Sequence, residues 1–206
     1  MPSETSTPNS SSAKSAGVDP IATPTYPTGG LFSALTTVTI RAPLSTLLDL
    51  SLETTSWPEW NSFVPKAVII SQPAPTSHSA TKLEVGTKVT FHNRMKRDGP
   101  LSSQYSDHQV VSIEEFERDG GKGWSIVWKT IGIPGGKWML SAERVQELSE
   151  RKAEDGSTVV EYRTWGTFGG PMAYLLSWMG VKNDIVNGFE GWAEGLKVHA
   201  EAGHRG

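Results

Sequence analysis

The sequence predicts an α+β fold: a curved antiparallel sheet of about seven strands around a long C-terminal helix, with two short helices after the first strand. Three observations carry this expectation. Seven β-rich or alternating segments, punctuated by Pro, Gly and Asp turns, lie between Leu31 and Phe168. Two short stretches with helical spacing of Leu and Trp fall between the first and second of them. After Pro171, about thirty residues run without another proline and carry an apolar stripe.

The strands read in order. Leu31–Arg41 alternates Leu35, Thr37 and Thr39 against Thr36, Val38 and Ile40. Pro43 then suits a first helical turn, and Leu44, Leu47, Leu48 and Leu52 recur at helical spacing. A second short helix is expected around Trp57–Phe63, with Ser56 as N-cap and Pro58 just inside. Strands follow at Lys66–Gln72, Thr87–Met95, His108–Arg118, Gly123–Ile131, Lys137–Glu150 and Ser157–Phe168. Their alternation assigns one inward face to Val89, Phe91, Asn93 and Met95, to Trp124, Ile126 and Trp128, to Trp138, Leu140, Ala142, Arg144 and Leu148, and to Val160, Tyr162, Thr164 and Phe168. The final helix shows Met172, Leu175, Met179, Val186, Phe189, Ala193, Leu196 and Ala200 as its stripe, with a kink or break expected near Gly180–Asn183.

Composition narrows the function. The 206 residues include no Cys, which excludes disulfides, thiolate metal sites and a Cys nucleophile. A net charge of -3 makes no case for nucleic acid or an anionic membrane. The most apolar run, Met172–Val181, is interrupted by Ser177 and Gly180 and is too short to span a bilayer. Residues 1–28 are rich in Ser, Thr, Pro and Ala, so a disordered tail is expected there, with one domain over 29–206. That tail has no apolar h-region, and a cytoplasmic location is expected. The five His lack metal-ligand spacing, and neither a metal nor another cofactor is expected.

Three local sequences carry a resemblance. Val38 to Pro43 (VTIRAP) leads into a Leu-rich helix; Trp57 to Val64 reads WPEWNSFV; Phe168-Gly169-Gly170 leads into a helix containing Gly188 to Lys197 (GFEGWAEGLK). In this order and spacing the chain resembles the START-like (SRPBCC) superfamily of helix-grip proteins, the polyketide cyclase/dehydrase and lipid-transport type. The resemblance spans the chain after the tail. It implies a concave cavity for a hydrophobic small molecule such as a lipid, sterol, quinone or polyketide. Many relatives carry an acidic residue about four positions before the glycine that opens the helix. Here Gly166 stands there, so that carboxylate is not carried over.

The candidate ligand-binding residues are Trp60, Phe91, Asn93, Trp128, Arg144 and Tyr162, with Trp60, Phe91, Trp128 and Tyr162 ringing an apolar cavity. Arg144 is the most informative, because an inward guanidinium needs a partner and could take a carboxylate, phosphate or enolate. The other reading is a bulge that leaves Arg144 in solvent beside Glu143. Trp57 reads as core. Asn93 and Tyr162 could orient a carbonyl or hydroxyl, although a buried Tyr usually bonds internally. The leading expectation is a binding or transfer module. The alternatives are a cyclase or dehydratase using the same cavity, and a protein-interaction domain.

Overall fold

The computed structural model describes residues 12–28, 30–74, 80–94, 99–101, 105–133 and 135–204; His78, Met95 and Pro134 lie outside them. Eight strands form one antiparallel sheet: β1 (Lys14–Val18), β2 (Phe32–Ile40), β3 (Lys66–Ser71), β4 (Lys88–His92), β5 (Tyr105–Arg118), β6 (Gly121–Ile131), β7 (Ser141–Lys152) and β8 (Thr158–Gly169). Their spatial order is β1-β2-β8-β7-β6-β5-β4-β3. The last six make the expected meander, and β2 closes on β8 across the whole length of the domain. The helices are α1 (Leu44–Leu52), α2 (Trp57–Trp60), α3 (Pro171–Trp178) and α4 (Val181–His204). Among the described residues no helix is long and apolar enough to cross a membrane.

The helix expected after Pro171 breaks where the sequence places a break. Gly180 has φ 81°, a left-handed conformation that a side chain resists, and α4 starts afresh at Val181. The glycines that weaken α4 by propensity serve packing instead. A Cβ at Gly195 would strike the Trp60 carbonyl oxygen, and one at Gly188 would strike the Phe63 ring. Removing those two Cβ atoms lets the α2–β3 connection lie directly on α4. The main core then fills the space between sheet and α4, with Trp57, Trp128, Tyr162, Trp192 and Leu196 fully buried.

The N-terminal segment departs from the sequence expectation. Residues 14–18, placed by composition in a disordered tail, form β1 along the edge of β2. Residues 21–25 then cross the outer face of the sheet. Ile21 N–H donates to Ser33 Oγ at 2.8 Å, and its carbonyl accepts from Thr167 Oγ1 at 2.6 Å. Trp165 Nε1 donates to the Ala22 carbonyl, and both the backbone N–H and the hydroxyl of Thr25 donate to the buried Glu143 carboxylate at 2.9 and 2.7 Å. Ile21 also packs on a second apolar cluster of Val127, Val145 and Trp165 on that outer face. Composition misses this strap because hydrogen bonds, rather than large apolar side chains, hold it.

Two smaller expectations are also corrected. Trp138 lies in a 3₁₀ turn (Gly136–Trp138) before β7, not in the strand, and is exposed. Ser56 makes no capping bond; its hydroxyl donates to the Glu53 carbonyl and accepts from Trp60 Nε1.

The strap gives a direct stability test. Thr25→Val removes one hydrogen bond to a charged acceptor and should cost about 1.5–3 kcal/mol. Truncation through Tyr26 should cost more, since it also uncovers Trp165 and Val127. Urea midpoints measure both, and a midpoint unmoved by the truncation would show that the strap contributes nothing.

Candidate functional site

Of the six candidate residues, Trp60, Phe91 and Trp128 do converge, but they do not enclose a cavity. The indole of Trp57 occupies the space between them, with ring centroids 6.4, 5.4 and 6.1 Å from Trp60, Phe91 and Trp128. Trp192 of α4 closes the group at 4.9 Å from Trp57. The geometries are tilted or edge-to-face, which aromatic quadrupoles favour. The expected apolar ring is therefore solid core, and Trp57 is core as the sequence indicates. Among the described residues Trp128 Nε1 is buried there without an acceptor, the kind of orphan donor that costs about 1–3 kcal/mol unless something satisfies it.

Beside this plug the concave face turns polar. β7 runs without a bulge against β6 and β8, so Arg144 keeps its inward phase, opposite Trp128 on one side and Gly166 on the other. Its guanidinium lies 4.1 Å from the Phe189 ring centroid and 4.3 Å from that of Trp192, a sandwich of two cation–π contacts under α4. Nε donates to Thr164 Oγ1 at 3.0 Å. Gln146, with its amide oxygen turned inward, accepts from Tyr162 Oη at 2.7 Å, Trp192 Nε1 at 3.2 Å and Arg144 Nη2 at 3.2 Å. Every one of these partners is neutral. Among the described residues no carboxylate pairs with Arg144, and the hydrogen bonds of its guanidinium come from Nε and Nη2. Gly166 explains part of this: it sits at the cross-strand position where an acid would pair, and a Cβ there would crowd the Phe189 ring at 2.8 Å. Burial pulls the Arg144 guanidinium below its ordinary pKa, and burial also raises the Tyr162 phenol. Tyr162 is fully buried with its hydroxyl bonded internally, so it holds the network rather than facing open space.

A third group, absent from the sequence reading, completes the patch. His108 on β5 stacks on Phe91 with centroids 4.4 Å apart and faces inward. Asn93 Nδ2 donates to Ser106 Oγ at 3.2 Å, and Ser106 Oγ lies 2.8 Å from His108 Nε2. The Ser106 hydroxyl can donate to Nε2 or accept from it, according to the imidazole tautomer. Burial, followed by the Arg144 charge, pushes the His108 pKa down to about 3. His108 and Arg144 are both half-buried. The signal for His108 in the sequence was hidden by a bulge between Val110 and Ser112, which shifts the alternation midway along β5.

The arrangement presents donors and a cation, suited to an oxygen-bearing ligand. Among the described residues no group of three or more His, Asp or Glu could hold a metal ion. Two surface clefts lie elsewhere, one of about 520 Å³ between α2 and α4 near Trp60, and one of about 320 Å³ near Arg41 and His204. Neither reaches the Arg144 patch.

No family model matches the chain. The oxopyrrolidines biosynthesis cluster protein O of Penicillium oxalicum is 35% identical over 152 residues, 70% of this chain and 74% of that protein. Among solved structures, a hypothetical protein of Helicobacter pylori superposes with a TM-score of 0.56 at 14% identity, covering 81% of this chain and 86% of its own. A protein of Nitrosospira multiformis gives 0.50 at 10% identity, covering 84% and 99%. At these identities the solved structures speak to the fold alone, which is compatible with the helix-grip arrangement.

The depressed pKa of His108 makes stability depend on pH. In the unfolded chain the imidazole takes its proton near pH 6.5, whereas in the folded state it does so only near 3. The contribution is therefore fully present above pH 6.5 and declines as pH falls below it. By pH 5 the loss should reach about 2 kcal/mol, and His108→Phe should flatten the decline. Urea titrations of both proteins between pH 5 and 7.5 measure this.

Proposed function

Because the chain belongs to the family of the Penicillium oxalicum oxopyrrolidines biosynthesis cluster protein O, we propose that it is a cytoplasmic START-like module that binds a small oxygen-bearing molecule of secondary metabolism between its sheet and α4. One observation carries the reading: among the described residues Arg144 is an inward cation without a carboxylate partner, bonded to neutral groups through Nε and Nη2 alone. A buried charge left this way is costly, and a ligand carbonyl or oxyanion would offset that cost. The name of that relative speaks of oxopyrrolidines, a class bearing such a carbonyl.

Binding is favoured over turnover by the state of the groups at hand. General acid–base chemistry works best with a group titrating near the working pH. His108, the imidazole beside Arg144, is held neutral with a pKa of about 3. The patch thus stabilises negative charge without a poised base among the described residues. Trp57 fills the aromatic end, so the ligand on this reading is compact rather than a long-chain lipid or sterol.

Native mass spectrometry of protein purified from a producing host should reveal a bound small molecule. Arg144→Met keeps stem volume and loses the charge. It should remain folded and bind that molecule more weakly by about 1.5–3 kcal/mol, roughly tenfold to a hundredfold. Unchanged affinity in Arg144→Met would refute the proposal.

A further inference from the structure

We infer that α3 and the loop before β7 form a docking surface for a lipid bilayer, on which the domain lies without crossing it. The inference is independent of the binding role proposed above.

The sequence of α3 is apolar throughout except for Ser177, and the fold turns four of its large side chains outward. Tyr174, Leu175, Trp178 and Met179 recur at i, i+1, i+4 and i+5, which puts them on one side of the helix. They are 65, 47, 85 and 62% exposed, whereas Ala173 on the other side is fully buried. A surface helix of a globular domain normally has the opposite polarity, with its apolar stripe toward the core. Trp138, 66% exposed, adds a third aromatic ring from the neighbouring loop. The Met139 carbonyl accepts from Met172 N–H at 2.9 Å, which ties that loop to the first turn of α3. Gly170 permits the close approach. Its φ is 87°, and a Cβ there would lie 2.7 and 2.8 Å from the Met139 and Trp138 carbonyl oxygens.

Charge and area decide what covers this patch. Residues 132–142 and 169–183 hold no Asp or Glu, and their only charged residues are Lys137 and Lys182. In the whole chain the acids outnumber Lys and Arg, 22 to 19, so the balance is locally reversed. Trp and Tyr rings have an apolar body and a polar tip, which suits them to the headgroup layer of a bilayer. Leu and Met add apolar depth, and the positive charge beside them suits anionic headgroups. At their observed exposures the five side chains present roughly 600 Å². That is large for an uncovered patch, yet short of the ~800 Å² that each partner gives a standard protein interface. A bilayer needs no complementary partner surface. With eight residues α3 is far shorter than the ~20 needed to span, so it lies in the interface.

Flotation of the full chain with phosphatidylcholine vesicles, with and without phosphatidylserine, tests this. The protein should float with both, and phosphatidylserine should tighten binding several-fold, less so at high salt. Trp138→Ser and Trp178→Ser alter exposed side chains, so the double variant should keep its fold, which near-UV circular dichroism checks. It should bind vesicles at least tenfold more weakly. Val198→Ser, on an equally exposed residue near the other end of α4, should bind as wild type does. No flotation at millimolar lipid overturns the inference, as does a folded double variant that binds like wild type or a Val198→Ser variant that loses as much. Phosphatidylserine without effect overturns the part assigned to the local charge. Sedimentation equilibrium reads the competing occupant: a dimer that the double variant loses would assign the patch to a second copy of this chain and overturn the bilayer.

Discussion

The Trp57 indole sits among four other aromatic rings, and most of the architecture depends on where it is held. Trp60 comes from its own short helix, Phe91 from β4, Trp128 from β6 and Trp192 from α4, with centroids 4.9–6.4 Å from it. One side chain thereby fixes the α1–β3 connection, the sheet and the C-terminal helix against one another. Its Nε1–H is bonded to the Leu50 carbonyl, so the polar atom of this buried ring is satisfied within the same connection. The glycines of α4 follow from this contact. With a side chain at Gly195 the Trp60 backbone could not approach, and the indoles would be pushed apart.

Beyond the aromatic plug the concave face changes character. With the aromatic end filled, what remains of the concave face is a patch of Arg144, Thr164, Gln146, Tyr162, Ser106, Asn93 and His108. Its hydrogen bonds run among neutral groups, and its one cation is stacked between Phe189 and Trp192 rather than neutralised. Aromatic faces and amide oxygens can keep a guanidinium in place without cancelling its charge, which a carboxylate across the strand would do. Gly166, opposite Arg144, preserves that condition.

Much of this was legible in the sequence. The meander, the two short helices, the break at Gly180 and the inward phase of Arg144 all follow from periodicity and turn chemistry, because each depends on neighbours within a few residues. The expected cavity ring was wrong in one respect: alternation says which face Trp60, Phe91 and Trp128 share, but not that Trp57 reaches in to fill the gap. His108 was hidden because the bulge in β5 breaks the period on which the inference depends. The outer strap was hidden because its anchors, Ser33, Glu143, Trp165 and Thr167, lie far along the chain from residues 21–25. Long-range hydrogen bonding leaves no local pattern.

The place of β2 in the sheet has a consequence for synthesis. Its partner on one side, β1, is at hand as soon as residues 14–40 exist, but its partner on the other, β8, spans residues 158–169. A chain emerging from the ribosome must therefore keep the Leu- and Phe-bearing β2 without its inner neighbour until some 120 residues later. The hairpins from β3 to β8 can form in the order they appear, each by local closure. The strand pair β1–β2 also packs against α4, which is made after every strand of the sheet. A nascent chain that has not yet made α4 would present the uncovered inner face to chaperones.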